Sequence, residues 1–354
     1  MTATEQRPAP AGTTAADAVE ARRQPQRRRL VEGALFVAAV AVLVALQPTF
    51  DVLGLDRAVT LLTMIAAASA WNLVAGYGGL FSIGHAMFVG TGAYTTSMLM
   101  IKASLPLTVV LVLAAAVAGG IGLLVALPLM RLRAAYFSVA SLGIALAGQA
   151  WMTNWDWTGA STGLQLPISR YVPPERLYWL AVALAASSVG SVLLIVRSGW
   201  GLRLMALRDD EDAAAEIGIR RAPVVLATWT VSAALIGLCG ALIALQKGTI
   251  EPNSAFAFGH TLDMILSTVL GGVATVVGPI LGATLLYVVR LNLDDWRDWA
   301  SVVLGLGIIA VIRFVPRGLW GLLCLGARRL AGRRTHHRTG PPPTEGARLT
   351  ERNA

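Results

Sequence analysis

Residues 71–94 read WNLVAGYGGLFSIGHAMFVGTGAY. Glycines at Gly76, Gly78, Gly79 and Gly84 interrupt an otherwise apolar run that carries no Asp, Glu, Lys or Arg. In a bilayer, a broken helix is tolerated only where the freed backbone groups face protein or a water-filled path. A second interruption, from Gly271-Gly272 to Gly278-Pro279, falls in the other half of the chain, and paired interruptions are the best sequence pointer to a transport path. The stretch therefore predicts membrane helices of which two are broken, near 76–84 and 271–279. The candidate path residues are Asn72, Gly76, Gly79, Gly84, His85 and Tyr94 on one side and Gly271, Gly272, Gly278 and Pro279 on the other. His85 has two readings, a packed and hydrogen-bonded histidine or a residue of the path.

The composition around this stretch agrees. The chain is 55% hydrophobic and 14% charged, with a mean hydropathy of +0.64. Soluble domains carry roughly a quarter charged residues, so lipid solvates most of this surface. Apolar segments near the ~20 residues that a bilayer requires fall at 30–49, 58–76, 84–101, 106–130, 134–151, 177–196, 223–245, 262–276, 278–291 and 299–315. The predicted fold class is all-α, a polytopic transmembrane helix bundle of about ten helices. Eight or nine are the alternatives; the two segments at 262–291 would give nine if they form one helix. Rows of small residues, Ser82-Ala86-Gly90, Ala114-Ala118-Gly122-Ala126 and Ala233-Gly237-Ala241, with the Gly278/Gly282 pair, predict close helix packing.

The formal net charge of +9 comes almost wholly from arginine, the only lysines being Lys102 and Lys247. The arginines gather in both tails and in two internal loops, with Arg131 and Arg133 in one and Arg197, Arg203, Arg208, Arg220 and Arg221 in the other. Basic loops stay on the cytoplasmic side, which predicts both termini cytoplasmic, an even number of crossings and no role for nucleic acid. Residues 1–29 and 327–354 read as disordered cytoplasmic tails, flanking a transmembrane domain over 30–326. The Arg-rich start followed by 31–46 reads as a retained first helix rather than a cleaved signal.

Several chemistries are excluded. No G-x-x-x-x-G-K-[ST] phosphate loop exists, since neither lysine follows a glycine. His85, His260, His336 and His337 are not spaced with Cys239, Cys324 or carboxylates as metal ligands, so no metal site and no cofactor are expected on this chain. Ion-coupled carriers place carboxylates inside the bundle, and Asp263 is the one candidate here; its other reading is an interfacial residue. A membrane enzyme would need a polar cluster, for which Asn154–Asp156 with His260 is the nearest set.

The longest internal hydrophilic segment is the loop 197–222. Acidic residues followed by alanines and then Gly218 predict a short helix with an acidic start and a glycine stop. Such a helix suits docking in a partner's groove or lying along the membrane surface. The candidate residues of that helix and its flanks are Arg208, Asp209, Glu211, Asp212, Ala213, Ala214 and Gly218.

These stretches resemble the permease subunits of bacterial branched-chain amino-acid ABC transporters, in particular the subunit that pairs with a second, related permease. Asn72–Tyr94 resembles that family's NL..GY.G..S.GHA.F.G.GAY pattern. Residues 131–137 resemble its LRG.YF segment, with Ala134 where glycine is usual. Residues 158–164 resemble its TGG..GL outer loop, with Ala160 in place of the second glycine. Arg208–Ile219 resembles its cytoplasmic coupling loop, and the run from Gly271 through Gly282 its GG.G...GP..GA segment. The resemblance spans roughly 58–315. It implies a second permease, two cytoplasmic ATPase subunits that use ATP and Mg, an extracytoplasmic binding protein, a place in the bacterial plasma membrane, and import of leucine, isoleucine or valine. Urea or other amino acids are the alternatives, and a secondary carrier or channel the rival class.

Overall fold

The computed structural model describes residues 33–34, 36–103, 105–132, 134–293 and 318–322. The predicted tails, the predicted tenth span at 299–315, Arg133 and Cys324 lie outside them. The chain divides into two compact units, Met1–Leu55 and Asp56–Ala354. The first contains α1, Phe36–Thr49, whose last turn at Gln47–Thr49 is a 3-10 turn.

The next helix, α2 (Val52–Asn72), continues into a π-turn, Leu73–Tyr77. There follow α3 (Ala86–Lys102), α4 (Leu107–Leu129), α5 (Ala134–Thr153), α6 (Pro174–Arg197), α7 (Gly199–Asp209), α8 (Glu211–Glu216), α9 (Arg221–Lys247), α10 (Pro252–Ala255), α11 (Phe258–Gly271) and α12 (Gly278–Leu293). Two-residue strands β1 (Leu164–Gln165) and β2 (Thr249–Ile250) pair antiparallel, Leu164 opposite Ile250. The protein is an all-α membrane helix bundle. Four described helices, α2, α4, α6 and α9, are long and apolar enough to cross a bilayer on their own. Val112, Leu124, Val139 and Leu146 are exposed on α4 and α5, an apolar surface suited to lipid.

The core is built by α3, α4 and α9, each packed on the other two. Two of the predicted small-residue rows face one another here. Gly237 lies against Ala118, and Gly122 against Ala233, so α4 and α9 run antiparallel with a row from each in the seam. α3 crosses α9 where a Cβ at Gly92 would overlap the Gly237 carbonyl and one at Gly240 the Val89 carbonyl. Backbones this close gain dispersion contacts along the whole crossing, which is what joins helices in lipid. The Ser82-Ala86-Gly90 row is a correction. Helix α3 begins at Ala86, and Ser82 sits in the preceding non-helical segment, where its carbonyl accepts from Trp71 Nε1 at 3.0 Å.

The segment predicted as one helix or two is two. The pairs Gly271/Gly278, Ser267/Gly282 and Asp263/Arg290 show α11 and α12 running antiparallel as a hairpin, joined by residues 272–277. The Gly278/Gly282 pair packs on α11, since a Cβ at Gly282 would overlap the Ser267 carbonyl.

The two ends of the bundle differ. α6 and α9 each span it, so α7 and α8 lie at one end and β1, β2 and α10 at the other. The strand end carries exposed Trp151, Trp155 and Trp157, and Lys102 Nζ stands 3.9 Å over the Trp157 ring. Amphipathic indoles suit a membrane–water interface.

Candidate functional site

The two interruptions meet, and Asn72 joins them. This fully buried side chain donates through Nδ2 to the Thr275 carbonyl at 2.8 Å and accepts through Oδ1 from the Ala274 N–H at 3.0 Å. Only one orientation of the amide satisfies both bonds. It ties α2 to the loop of the α11–α12 hairpin, where Ala274 is held at φ +56°. The geometry excludes a side chain at Gly76, whose Cβ would overlap Asn72 Oδ1 and stand 2.8 Å from the Ala274 nitrogen.

α7 reaches the same place from below. Arg208 donates to the Gly76 carbonyl at 3.0 Å, a group that the π-turn leaves free. The Arg208 stem covers Gly79, which is at φ +69° and has no room for a Cβ. Asp209 holds the guanidinium from the other side at 2.9 Å. Leu204 of α7 completes the contact in an apolar cluster with Leu73, Tyr77, Val192 and Val224, against which Ala274 and Val276 pack. A continuous chain of side chains therefore runs from α7 through the first interruption to the second.

The surface helix is capped as predicted at its end and more strongly than predicted at its start. Asp210 Oδ1 accepts from the Asp212 and Ala213 N–H groups at 3.0 Å each, an N-cap. Sequence reading omitted Asp210 from the coupling residues, although an Asp before an alanine run is a cap signal. Gly218 follows the helix at φ +82°, and Ile219 N–H closes back on the Ala214 carbonyl at 3.0 Å. Ala214 is buried while Glu211, Asp212, Ala213 and Ile217 are exposed, Ile217 at 75%. Arg221 pairs with Glu211 at 3.3 Å and donates to the Met130 carbonyl at 2.8 Å, which fixes α8 to the ends of α4 and α9.

The remaining predicted path residues are dispersed. Gly84 lies against the Ser141 backbone of α5. His85 is fully buried, 4.9 Å from the Trp229 ring and 5.4 Å from Phe88, and among the described residues neither ring nitrogen has a hydrogen-bond partner. Tyr94 sits farther along α3, its ring 6.0 Å from that of Phe256 and tilted to it by 33°, near the strand end. Gly271, Gly278 and Pro279 are buried in the hairpin, and Gly272 is at φ +125°. Asn154 and His260, the polar set for an enzyme, are each occupied locally: Asn154 donates to the Ala150 carbonyl, and His260 Nε2 meets the Ser254 carbonyl at 3.0 Å.

Residues 55–312, which contain both interruptions and the α7–α8 segment, match the family model described as the branched-chain amino acid transport system / permease component. The chain belongs to this family. It is an ABC-type permease, a transport protein of the membrane. Similar proteins include the high-affinity branched-chain amino acid transport system permease protein LivM of Salmonella typhimurium, 29% identical over 320 residues, with 82% of this chain and 75% of the relative covered. The LivM protein of Escherichia coli is similar to the same extent. The autoinducer 2 import system permease protein LsrC of Yersinia enterocolitica is 27% identical, over 79% of this chain and 73% of its own length. No solved structure matches.

Proposed function

We propose that this permease forms half of the path of an ATP-driven importer of branched-chain amino acids, with a second related permease completing the path. Two partner subunits bind and hydrolyse ATP with Mg at the cytoplasmic end, and a binding protein delivers substrate at the strand end. The α7–α8 end is cytoplasmic and carries the docking surface for an ATPase. The observation that carries this reading is the connected chain Arg208–Gly76–Asn72–Ala274, because it gives a force applied at α7 and α8 a route to both interrupted helices. A path opened by bond-making in another subunit needs such a route; a self-contained carrier does not. Movement of α8 then biases the bundle between two arrangements. Amino acids are the first substrate class because both LivM relatives carry that name over 82% of this chain; the LsrC relatives make autoinducer 2 the rival substrate.

The test is purification of the tagged chain in mild detergent with mass spectrometry of its companions, then uptake by the reconstituted complex. Co-purification of an ATPase and a second permease, with ATP-dependent uptake of labelled leucine, supports the reading. A chain that comes alone, under conditions where a known importer stays whole, rejects the partners. Uptake of autoinducer 2 without leucine rejects the substrate.

A further inference from the structure

A short helical turn over residues 318–322, GLWGL, brings the chain back to the loop of the α11–α12 hairpin. Gly318 is buried there at φ +65°. A Cβ on it would stand 2.5 Å from the Gly272 Cα, 2.6 Å from the Gly272 nitrogen and 2.9 Å from the Gly271 carbonyl carbon. The contact is therefore backbone on backbone. Glycine suits it on two grounds, the missing Cβ and the left-handed conformation. The hairpin loop is thus held at two points, by Asn72 at residues 274 and 275 and by Gly318 at its first residue.

We propose that residues 318–322 are a latch on the hairpin loop, with Gly318 as its positioning residue, and that the latch parts when the permease changes state. The parting rests on the importer reading above; the latch itself does not. The two restraints on the loop differ in kind. Asn72 makes two hydrogen bonds, one to each of its partners. Gly272 spends its N–H on the Thr268 carbonyl at 2.9 Å, and its own carbonyl accepts from the Thr275 hydroxyl at 2.7 Å, so Gly318 meets it through packing. Dispersion falls away steeply, a gap of about 0.5–1 Å forfeiting a quarter to a half of it. A small displacement therefore releases the latch while the Asn72 tether still holds.

The loop supplies the reason to move. Gly272 lies at φ +125° and Ala274 at φ +56°, and a residue with a Cβ persists in the left-handed region only where its surroundings impose it. Asn72 grips the Ala274 N–H, and the latch fixes the chain two residues earlier. Released at Gly272, the loop relaxes through Ala274, and the change passes through Asn72 to α2 and through the Gly76 carbonyl to Arg208. The latch is a second control point on the junction, set from the C-terminal side of the chain as α7 sets the first.

The test has two arms. The first is amide hydrogen exchange in the full permease in lipid nanodiscs. Gly318→Ala is expected to speed exchange across residues 272–277 roughly tenfold and to leave the α3–α9 crossing unchanged. Gly318→Asn separates contact from conformation. Asparagine tolerates φ +65° but brings a larger side chain to the same contact, so it should release the loop at least as far as alanine does. Exchange at the unaltered rate in Gly318→Ala, or its rescue by Gly318→Asn, overturns the latch. The second arm leaves Gly318 in place. Spin labels at Val273→Cys and Leu322→Cys, half-exposed positions on the loop and on the turn, report their separation in the complete reconstituted importer with Cys239→Ser and Cys324→Ser. Dipolar broadening is expected without nucleotide, and its loss with ATP and vanadate, which hold the partner ATPases closed. Broadening that persists under vanadate, in an importer that transports leucine, overturns the parting and leaves the importer reading standing. A permease that recruits no ATPase overturns the importer reading, and exchange in nanodiscs still decides the latch.

Discussion

Replacing Asn72 with leucine removes the amide and nearly preserves its volume. The Ala274 N–H and the Thr275 carbonyl, both in part-buried residues, then lose their partner. Interhelical hydrogen bonds in membranes are worth about 0.6 kcal/mol on average and up to ~1.7. Two of them give about 1–3 kcal/mol, and partial access to water for the groups left behind holds the value near the middle of that range. At about 2 kcal/mol, the balance between the tethered and the released hairpin loop shifts ~30-fold, since every 1.4 kcal/mol is a factor of ten. Amide hydrogen exchange read by mass spectrometry measures that balance, because the Ala274 N–H is held by Asn72 Oδ1 alone of the side chains. The expected result is ~30-fold faster exchange across residues 272–277, with the α3–α9 crossing unchanged. Asn72→Asp keeps the acceptor for Ala274 and loses the donor to Thr275, so it should fall between. Exchange at 272–277 equal to that of the unaltered protein in Asn72→Leu would refute the tether and the route from α7 to the hairpin with it.

Gly76→Ala attacks the same junction sterically; its Cβ has no place without moving Asn72 or the hairpin loop, and uptake should fall more than in Asn72→Asp with the complex still assembled by size-exclusion chromatography. Arg208→Ala loses the bond to the Gly76 carbonyl and the cover over Gly79, and should leave ATP hydrolysis while lowering leucine uptake per ATP several-fold; Arg208→Lys should rescue it only in part, because an ammonium does not present the fork that spans Gly76 and Asp209. Gly218→Ala meets no neighbour but must hold φ +82°, costing about 1 kcal/mol; reduced ATPase affinity in a pull-down, with insertion unchanged, is the expected outcome. Ala160 sits at φ +46° where the family pattern has glycine, so Ala160→Gly should raise the melting temperature of the complex by relieving roughly 1 kcal/mol.

Lipid solvation, the all-α class and the family were legible in the sequence, because each follows from local quantities: apolar length, the scarcity of charge, and glycines at fixed places. The small-residue rows on α4 and α9 were legible for the same reason, since a row at four-residue spacing faces one way whatever it meets. The glycine stop of α8 was equally local. What the sequence left open involved partners distant in the chain. Nothing near Asn72 announces that it bonds Thr275 and Ala274, some two hundred residues away, or that Arg208 ends on the Gly76 carbonyl. Read in order, the predicted path residues look like one continuous lining; folded, they separate into a junction at Asn72, a packed histidine at His85 and a tilted ring contact at Tyr94. Asp263 read alone is a lone acid at a helix start, and only the hairpin brings Arg290 to it. Composition and periodicity fix which faces are apolar and where helices break, since those depend on neighbours a turn away. Which broken ends meet, and which charges pair, depends on how α2, α7, α11 and α12 cross, and no local pattern encodes which small-residue faces come together.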